Sequence, residues 1–372
     1  MTKVNRLWYI GYYAPYNDDR ERCVAMSQIS KMDYISKVVK ELDVPISIYS
    51  PIYSISKKFH FFPTRKWINS NGIEVRDAAT ISASNTIMKI LARLLMEVQV
   101  FFFLITRKRD DKVLMYHSLG MRHAVSLAQL FRRYEFIMEV EELFNAAWGK
   151  ENLANEIKYL KKADKYLYVN DVMPKRFAFN KPYAVCYGNY EHYKDCNIAS
   201  EERNYTLIYA GVIDRKGTDV YVAIETLKCL PEKYKLKIAG YGSEQSLDML
   251  KQTIKGIPRI SYHGQLHGKE YDEFLFSGKY GLCTRVLEDR LSDYTFPSKV
   301  MVYLGHALIP VCPMLTCLKE SVIQNNLLFV NSLSPREIAE TIQNNESFAR
   351  NTIEVIDNLN MSFAKELRKL LN

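Results

Sequence analysis

The sequence contains no C-x-x-C pair. Its seven cysteines, at 23, 186, 196, 229, 283, 312 and 317, are scattered, and the spacing of Cys312 and Cys317 does not fit a zinc knuckle. The pattern fits reduced, mostly buried thiols in a cytoplasmic protein, not a disulfide scaffold. No signal-peptide apolar core occupies the first ten residues. No G-x-G-x-x-G follows a strand pattern, so the dinucleotide fingerprint is missing. There is no short-period repeat and no low-complexity tract. The most apolar stretch, residues 85–106, is broken by Lys89, Arg93 and Glu97 at four-residue spacing, which argues against a membrane-spanning helix.

What is present describes a globular chain with two domains. At 372 residues it is too long for one ordinary core, and 48% hydrophobic with 25% charged residues is a globular composition. The net charge of +9 is unevenly placed: residues 1–200 hold 30 Lys and Arg against 21 Asp and Glu, while residues 201–372 hold 21 of each. A basic first half implies an anionic partner there, such as a membrane surface or a phosphorylated substrate. Nucleic acid would suit the charge, but no motif for it appears, so no nucleic-acid partner is expected.

The first half opens with a strand (7–10), a loop over Gly11, Tyr12, Tyr13, Ala14 and Pro15, and a helix (24–42). Strand–loop–helix is the opening unit of a doubly wound α/β domain, whose ligands bind at strand C-terminal ends. Residues 46–49 are a second strand. Residues 85–106 are read either as an amphipathic core helix or as a helix lying on a membrane interface, with the basic run Arg107, Lys108, Arg109 at its end. A strand from Lys112 ends in His117 and Ser118, and a helix covers 123–133. Residues 136–144 read as a strand whose tip carries Glu139, Glu141 and Glu142, able to accept from sugar hydroxyls or act as bases. Equally, they are acids decorating a helix start. A helix at 155–163 and strands at 165–169 and 183–186 complete this half.

A polar stretch, 191–204, marks the domain boundary at 200. A second strand–helix series follows, with strands at 206–210, 236–239, 259–262, 280–283 and 308–312 and helices between them. This alternation predicts a parallel sheet covered on both faces. Its loops carry Gly211 with Arg215, Lys216 and Gly217, then Gly240, Tyr241 and Gly242, then His263 and Gly264, then Arg285 and Glu288. A further loop, Thr295, Phe296, Pro297, Ser298, Lys299, opens the apolar helix from Val300. Ser298 suits an N-cap, and a helix start beside a Lys suits an anion. Taken alone this is an ordinary loop-to-helix junction; four further loops converging on the same sheet edge favour a phosphate site. A helix over 351–371 ends the chain.

The order of these features resembles the nucleotide-sugar half of retaining GT-B glycosyltransferases of the family-4 type. The matching residues are Gly211 with Lys216-Gly217, Ile238–Gly242, Tyr262–Gly264, a Glu, then Phe296–Lys299 and Ile309–Val311, covering most of 206–345. More loosely, Gly11–Pro15, Tyr116–Ser118 and Met138–Leu143 resemble bacterial polysaccharide-assembly enzymes. The resemblance implies a GT-B fold of two Rossmann-like domains facing a cleft. Residues 1–200 would bind acceptor, 201–345 the nucleotide sugar, and 346–372 would form a helix returning to the first domain. It implies that Ser298, Lys299, Lys216 and Arg215 hold the donor diphosphate and that Glu288 faces the donor sugar. Gly211, Gly240, Tyr241 and Gly242 would line the nucleotide, with His263, Gly264 and Arg285 nearby. Gly11, Tyr12 and His117 would line the cleft, Glu141 falls where many relatives place a His, and Glu141 and His117 would serve as orienting groups or auxiliary bases beside the catalytic Glu288, Lys299 and Lys216. Three departures stand out. The usual Arg after the first Gly is Val212, the second Glu of the family's paired-Glu motif aligns with Val302, and the usual Gly ahead of the Pro-Val pair falls near Ala307.

The function so implied is a hexosyltransferase. It would move a sugar from a nucleoside diphosphate donor to a hydroxyl of a glycan, polyprenyl-diphosphate-linked, in capsule or O-antigen biosynthesis, with peripheral contact at the inner membrane face. The resemblance implies retention of configuration. The sequence contains no D-x-D, which fits a site working without a metal, and no cofactor beyond the donor is expected. Two rival readings are a non-catalytic partner of another transferase, motivated by Val302, and a sugar-nucleotide epimerase on the same fold.

Overall fold

The structure, a computed structural model, describes residues 5–22, 24–149, 152–177, 179–192, 201–214, 219–284, 293–348 and 351–372. The chain forms two compact units. Unit 1 comprises residues up to Asn189 with Tyr294–Phe296 and Met361–Asn372, and unit 2 comprises Tyr190–Asp293 with Pro297–Asn360.

Unit 1 contains β1 (Arg6–Ile10), β2 (Ile46–Ser50), β3 (Phe61–Phe62), β4 (Arg65–Ile68), β5 (Glu74–Asp77), β6 (Thr80–Ile81), β7 (Asp111–Tyr116), β8 (Glu135–Val140), β9 (Lys165–Tyr168) and β10 (Tyr183–Val185). Eight strands form one sheet in the order β10-β9-β8-β7-β1-β2-β5-β4, parallel except for β4. The central strands are buried on both faces, as their unbroken apolar runs require; in β1, Leu7–Ile10 are all buried. The hairpin β4–β5 was not read from the sequence. Its signal is Asn69 to Gly72: the Asn69 side-chain oxygen accepts from the N–H of Asn71 and Ile73 at 3.1 and 2.9 Å, and Gly72 takes φ +68°.

The helix Thr86–Ile105 starts at Asn85, whose side chain accepts from the Met88 N–H at 2.9 Å. It buries one narrow seam, Ala92, Met96, Val100 and Leu104. No helix among the described residues is long and apolar enough to cross a membrane. The end of the final helix, Thr352–Leu371, belongs to unit 1: Phe363 packs on Tyr34 with ring centroids 5.7 Å apart, and Lys165 donates to the Leu370 carbonyl at 2.6 Å.

Unit 2 contains β11 (Thr206–Ile213), β12 (Lys235–Gly242), β13 (Ile260–Tyr262), β14 (Tyr280–Leu282), β15 (Ile309–Pro313) and β16 (Leu328–Val330). They form one parallel sheet in the order β13-β12-β11-β14-β15-β16. The sequence reading missed β16 and the helix Pro335–Asn344, although Ser334-Pro335 is a helix-start signal. That helix lays Ile338, Ala339 and Ile342 into a core shared with Ile224 and Leu227 of the helix Asp219–Cys229 and with Leu207, Tyr209 and Leu236 of the sheet. In each unit the winding reverses at one strand. β1 has β2 on one side and β7 on the other, and β11 has β12 on one side and β14 on the other. Ligands of doubly wound sheets bind at such points, outside the strand C-terminal ends.

Candidate functional site

In unit 2 the switch point is built on missing side chains. Gly211 and Gly240 are register partners in β11 and β12, with φ of +156° and +154°. A Cβ on Gly240 would stand 1.8 Å from the Gly211 carbonyl oxygen, so only glycine permits this approach. The Gly240 N–H donates to the Gly264 carbonyl at 2.8 Å, and the Tyr262 hydroxyl donates to the Gly240 carbonyl at 2.9 Å. The ends of β11, β12 and β13 are thereby tied into one bare backbone edge. Tyr241, 49% exposed, stands on it.

β11 and β14 pair only at Leu207–Tyr280 and Ile208–Gly281. Beyond that, Tyr303, fully buried, fills the gap: its hydroxyl accepts from the Ala210 N–H at 3.1 Å and lies 3.4 Å from the Leu282 carbonyl. Its ring covers Gly281, where any Cβ would sit 2.3 Å from it. Sequence reasoning overlooked this role; the signal was a lone Tyr in an otherwise aliphatic run facing a strand glycine.

Tyr303 belongs to the helix Ser298–Gly305, and its packing aims the helix start at the switch point. Here one expectation is corrected. Pro297 is the N-cap, no side chain caps the helix, and Ser298 is its first residue, because Pro297 already holds the extended backbone a cap needs. Lys299 reaches over Gly211: its ammonium lies 4.2 Å from the Tyr209 ring centroid and 3.8 Å from an Asp219 carboxylate oxygen, with its side chain 26% exposed. A Cβ on Gly211 would strike the Lys299 side-chain end at 2.6 Å. A cation thus lies over bare backbone, beside a helix start whose first N–H groups lack intrahelical partners.

His263 follows β13. Burial lowers its pKa, with Lys237 acting in the same direction, and its Nε2 shares a hydrogen bond with Ser261 Oγ at 2.8 Å. Val302, where the resemblance expects the second Glu, is half-buried, and its carbonyl accepts from His306 Nδ1 at 2.7 Å. Arg215, Lys216, Gly217, Arg285 and Glu288 lie outside the described residues.

The unit 1 switch point is built from acids and hydroxyls. Gly11 follows β1, and a Cβ there would meet Met32 at 2.8 Å. Tyr12 shares a hydrogen bond with Ser118 at 2.7 Å. The resemblance placed His117 as a cleft-lining group, but it is 1% exposed. Its ring lies against Phe144 and Tyr159, and Nδ1 donates to the Glu142 carbonyl at 3.2 Å. Two effects oppose on its ring. Burial pushes the pKa down to about 4 against the bond to the Glu142 carbonyl, which acts upward, while a Glu156 oxygen stands 3.5 Å from Nε2. Burial wins, because that distance is past hydrogen-bond reach and Glu156 already accepts the N–H of Phe144 and Asn145 at 2.8 and 2.9 Å. His117 is a neutral packing residue at neutral pH.

Of the three acids, Glu139 lies within β8, while Glu141 and Glu142 fall beyond its end. Glu141, its side chain 19% exposed, pairs with Lys31, which is buried and also donates to the Cys186 carbonyl at 2.6 Å. Burial works against the Lys31 charge, but Glu141 more than offsets this and the net shift is upward. Glu139 lies beneath, 1% exposed, and accepts from the Tyr9 hydroxyl at 2.5 Å. Burial, then the Glu141 charge, raises its pKa to about 8. Its other oxygen has no donor among the described residues. Cys186 is an inert thiol, its pKa raised by burial to about 12.

No protein-family model and no curated protein sequence matches the chain. Solved structures do. An E. coli structure described as trehalose-6-phosphate bound with UDP-2-fluoro glucose is 11% identical, with TM-score 0.67 over 99% of both chains. Sucrose-phosphate synthase from Thermosynechococcus elongatus is 11% identical, with TM-score 0.68 over 99% of this chain and 95% of that one. The pneumococcal O-GlcNAc transferase GtfA, in complex with UDP and GlcNAc, is 9% identical, with TM-score 0.65 over 98% of both. Across nearly its whole length, then, the chain has the GT-B fold of two Rossmann-like units.

Proposed function

We propose that the protein is a glycosyltransferase that moves a sugar from a nucleoside diphosphate donor to a hydroxyl of a lipid-linked glycan in surface polysaccharide assembly. The observation that carries this is the unit 2 switch point, where Lys299 lies over Gly211 beside Gly240 at the opening of the helix Ser298–Gly305. Bare backbone next to a cation suits a diphosphate, and two of the solved structures named above are bound to UDP or a UDP sugar. As the bond from the anomeric carbon to the diphosphate breaks, negative charge grows on the phosphate oxygen. Lys299 and the helix N–H groups of Ser298 and Lys299 stabilise that charge, with Arg215 and Lys216 assigned to the same role from the sequence resemblance. The new bond forms to the acceptor oxygen, whose proton passes to the donor phosphate on the retaining route that the resemblance implies. Tyr241, Gly242, His263 and Gly264 flank the nucleotide, and Glu288 and Arg285 keep their sequence-derived roles toward the sugar.

On the unit 1 edge, Glu141 is the group assigned to orient an acceptor hydroxyl, held by Lys31 with Glu139 beneath it. Its partly exposed carboxylate suits that role better than the buried His117. The basic first half suits an acceptor delivered at an anionic membrane.

The test is thermal stabilisation by a panel of UDP, ADP, GDP and dTDP sugars, run on the wild type and on Lys299→Ala. Stabilisation by one donor class, lost in the variant, is expected, since bound donor raises stability by mass action. A panel that stabilises neither protein, or both equally, sinks the assignment. Product formed without acceptor would instead mark an epimerase.

A further inference from the structure

The helix Thr86–Ile105 is apolar on the wrong side for a core helix. Opposite its buried seam, Ile87, Ile90, Leu91, Leu94, Val98 and Phe102 are 44% to 70% exposed. Its three charges flank the stripe: Lys89, Arg93 and Glu97 each precede a seam residue by three positions, and Lys89 and Arg93 are exposed. Glu97 is engaged, with His123 Nδ1 at 2.9 Å and the Ala124 N–H at 2.8 Å. The stripe itself is apolar, with two exposed cations along its side. It widens onto the following segment, where Phe101 meets Phe131 at 6.4 Å and Leu127, Leu130 and Phe131 are 50% to 75% exposed.

The stripe ends in cations. Arg107, Lys108, Arg109, Arg132 and Arg133 line a hollow of about 740 Å³ that has no acid in its lining. Arg107 is held over the Trp8 and Phe103 rings at 4.7 and 4.1 Å, and Arg132 is held by both Asp164 oxygens at 2.7 and 2.9 Å. Lys108, Arg109 and Arg133 are exposed. A second hollow, about 290 Å³, shares Arg107 and adds Arg65, Lys66 and Arg76, with Asp77 as its one acid.

We propose that this face of unit 1 docks on an anionic lipid bilayer, with the stripe at the headgroup–acyl boundary and the cationic end on headgroup phosphates. A wide apolar face next to clustered Lys and Arg is the make-up of an interfacial helix. A second copy of the chain is the poorer occupant, because a two-fold contact pairs the face with itself and sets a surplus of cations against the same surplus. The middle of the helix lies near the residues that follow β7: a Cβ on Gly120 would meet the Tyr12 hydroxyl at 2.9 Å and the Met96 methyl at 3.5 Å. A lipid-anchored acceptor in that bilayer would present its head to the edge carrying Tyr12 and Ser118. In this the inference deepens the lipid-linked-acceptor reading and rests on it for its purpose, although vesicle binding and transfer are separate readouts.

The experiment is vesicle flotation of the full chain, with phosphatidylglycerol-rich or phosphatidylcholine-only vesicles. It compares the wild type, Leu94→Glu/Val98→Glu and Arg109→Glu/Arg133→Glu. The wild type should float with the anionic vesicles and should be released by salt. The apolar variant should stay at the bottom. The charge variant should lose about fivefold in apparent affinity per cation removed. All the substituted side chains are exposed, so thermal melts should match the wild type. A wild type that ignores anionic vesicles, or an apolar variant that binds as well as wild type, overturns the proposal. So does light scattering showing a wild-type dimer that Leu94→Glu/Val98→Glu splits. If flotation fails while donor binding persists, the docking surface falls and the donor assignment stands.

Discussion

The two switch points use opposite materials. In unit 2 the strand ends carry glycines and a cation, Gly211 and Gly240 under Lys299. In unit 1 they carry acids and hydroxyls, Glu139, Glu141, Tyr9 and Tyr12, with Lys31 buried as a counter-charge. One topology thus supports two chemistries, because a parallel sheet fixes only where the loops gather. Bare backbone and a cation suit an anion that arrives charged. A partly exposed carboxylate among hydroxyls suits a neutral hydroxyl that must be oriented. This contrast is the physical ground on which the proposed function puts the donor on unit 2 and the acceptor on unit 1.

The harshest way to break the contrast is Gly240→Ala. The new Cβ would sit 1.8 Å from the Gly211 carbonyl oxygen, a backbone atom, at a φ of +154° that other residues avoid. A loss above about 4 kcal/mol is expected, in the range reserved for identifiable clashes. Hydrogen exchange would show it as lost protection in β11 and β12, with β7 and β8 unaffected. Equal protection in all four strands would mean the two glycines are not pressed together.

Lys299→Ala sharpens the contrast without harming the fold. The ammonium is 3.8 Å from Asp219, whose side chain is 11% exposed, and 4.2 Å from the Tyr209 ring centroid, so a modest drop in melting temperature is expected, well short of unfolding. The transfer rate should fall about 10²–10³-fold, the usual effect of removing one group that stabilises developing charge. Unchanged steady-state transfer would move the diphosphate elsewhere and reopen the non-catalytic reading suggested by Val302.

Most of the unit 2 edge was legible in the sequence, and the reason is local. Glycines after strands, and a Lys one residue inside a helix, announce themselves by residue type and order, as Gly240, Gly242 and Lys299 do. The unit 1 edge was legible only in outline. Glu139 and Glu141 are separated by one residue, yet one lies inside β8 and the other beyond its end. Nothing nearby in sequence points to Lys31, which comes from the helix Met26–Glu41. His117 was placed in the cleft by the resemblance at Tyr116–Ser118; its burial comes from Phe144 and Tyr159, which no spacing rule connects to it. The outward face of Thr86–Ile105 was likewise ambiguous, since an apolar helix does not declare which side is covered.

The acid pair gives a smaller, pH-dependent effect confined to unit 1. Burial raises the Glu139 pKa above its unfolded value, so between the two values the folded state holds more protons than the unfolded one. Stability is therefore greatest at the acid side of that window and falls as pH rises toward about 8. His117 acts in the opposite sense: its pKa is lowered to about 4, so its contribution is present above the ordinary histidine value and is lost as pH falls toward about 4. Glu139→Gln keeps the acceptor for Tyr9 and cannot ionise. Thermal melts across pH should lose the alkaline decline in this variant and keep the acid one. A decline that survives the substitution would place the titrating group elsewhere.

The smallest expected effect tests the far end of the helix that carries Lys299. Ala307 has φ +58°, the left-handed conformation that glycine adopts without strain. The helix ends in a Schellman-type pair of bonds, the Ala307 N–H to the Leu304 carbonyl at 3.1 Å and the Leu308 N–H to the Tyr303 carbonyl at 2.9 Å, which demands that conformation at residue 307. The Ala307 carbonyl also accepts from Arg203 at 2.6 Å, which holds the turn in place. Ala307→Gly should relieve about 1 kcal/mol of strain, while the freer unfolded chain returns roughly half or more of it. The melting temperature should therefore rise slightly or stay level, with donor binding unchanged. A clear drop would show that the methyl group packs usefully, and that this turn tolerates alanine because of its surroundings, not in spite of its backbone.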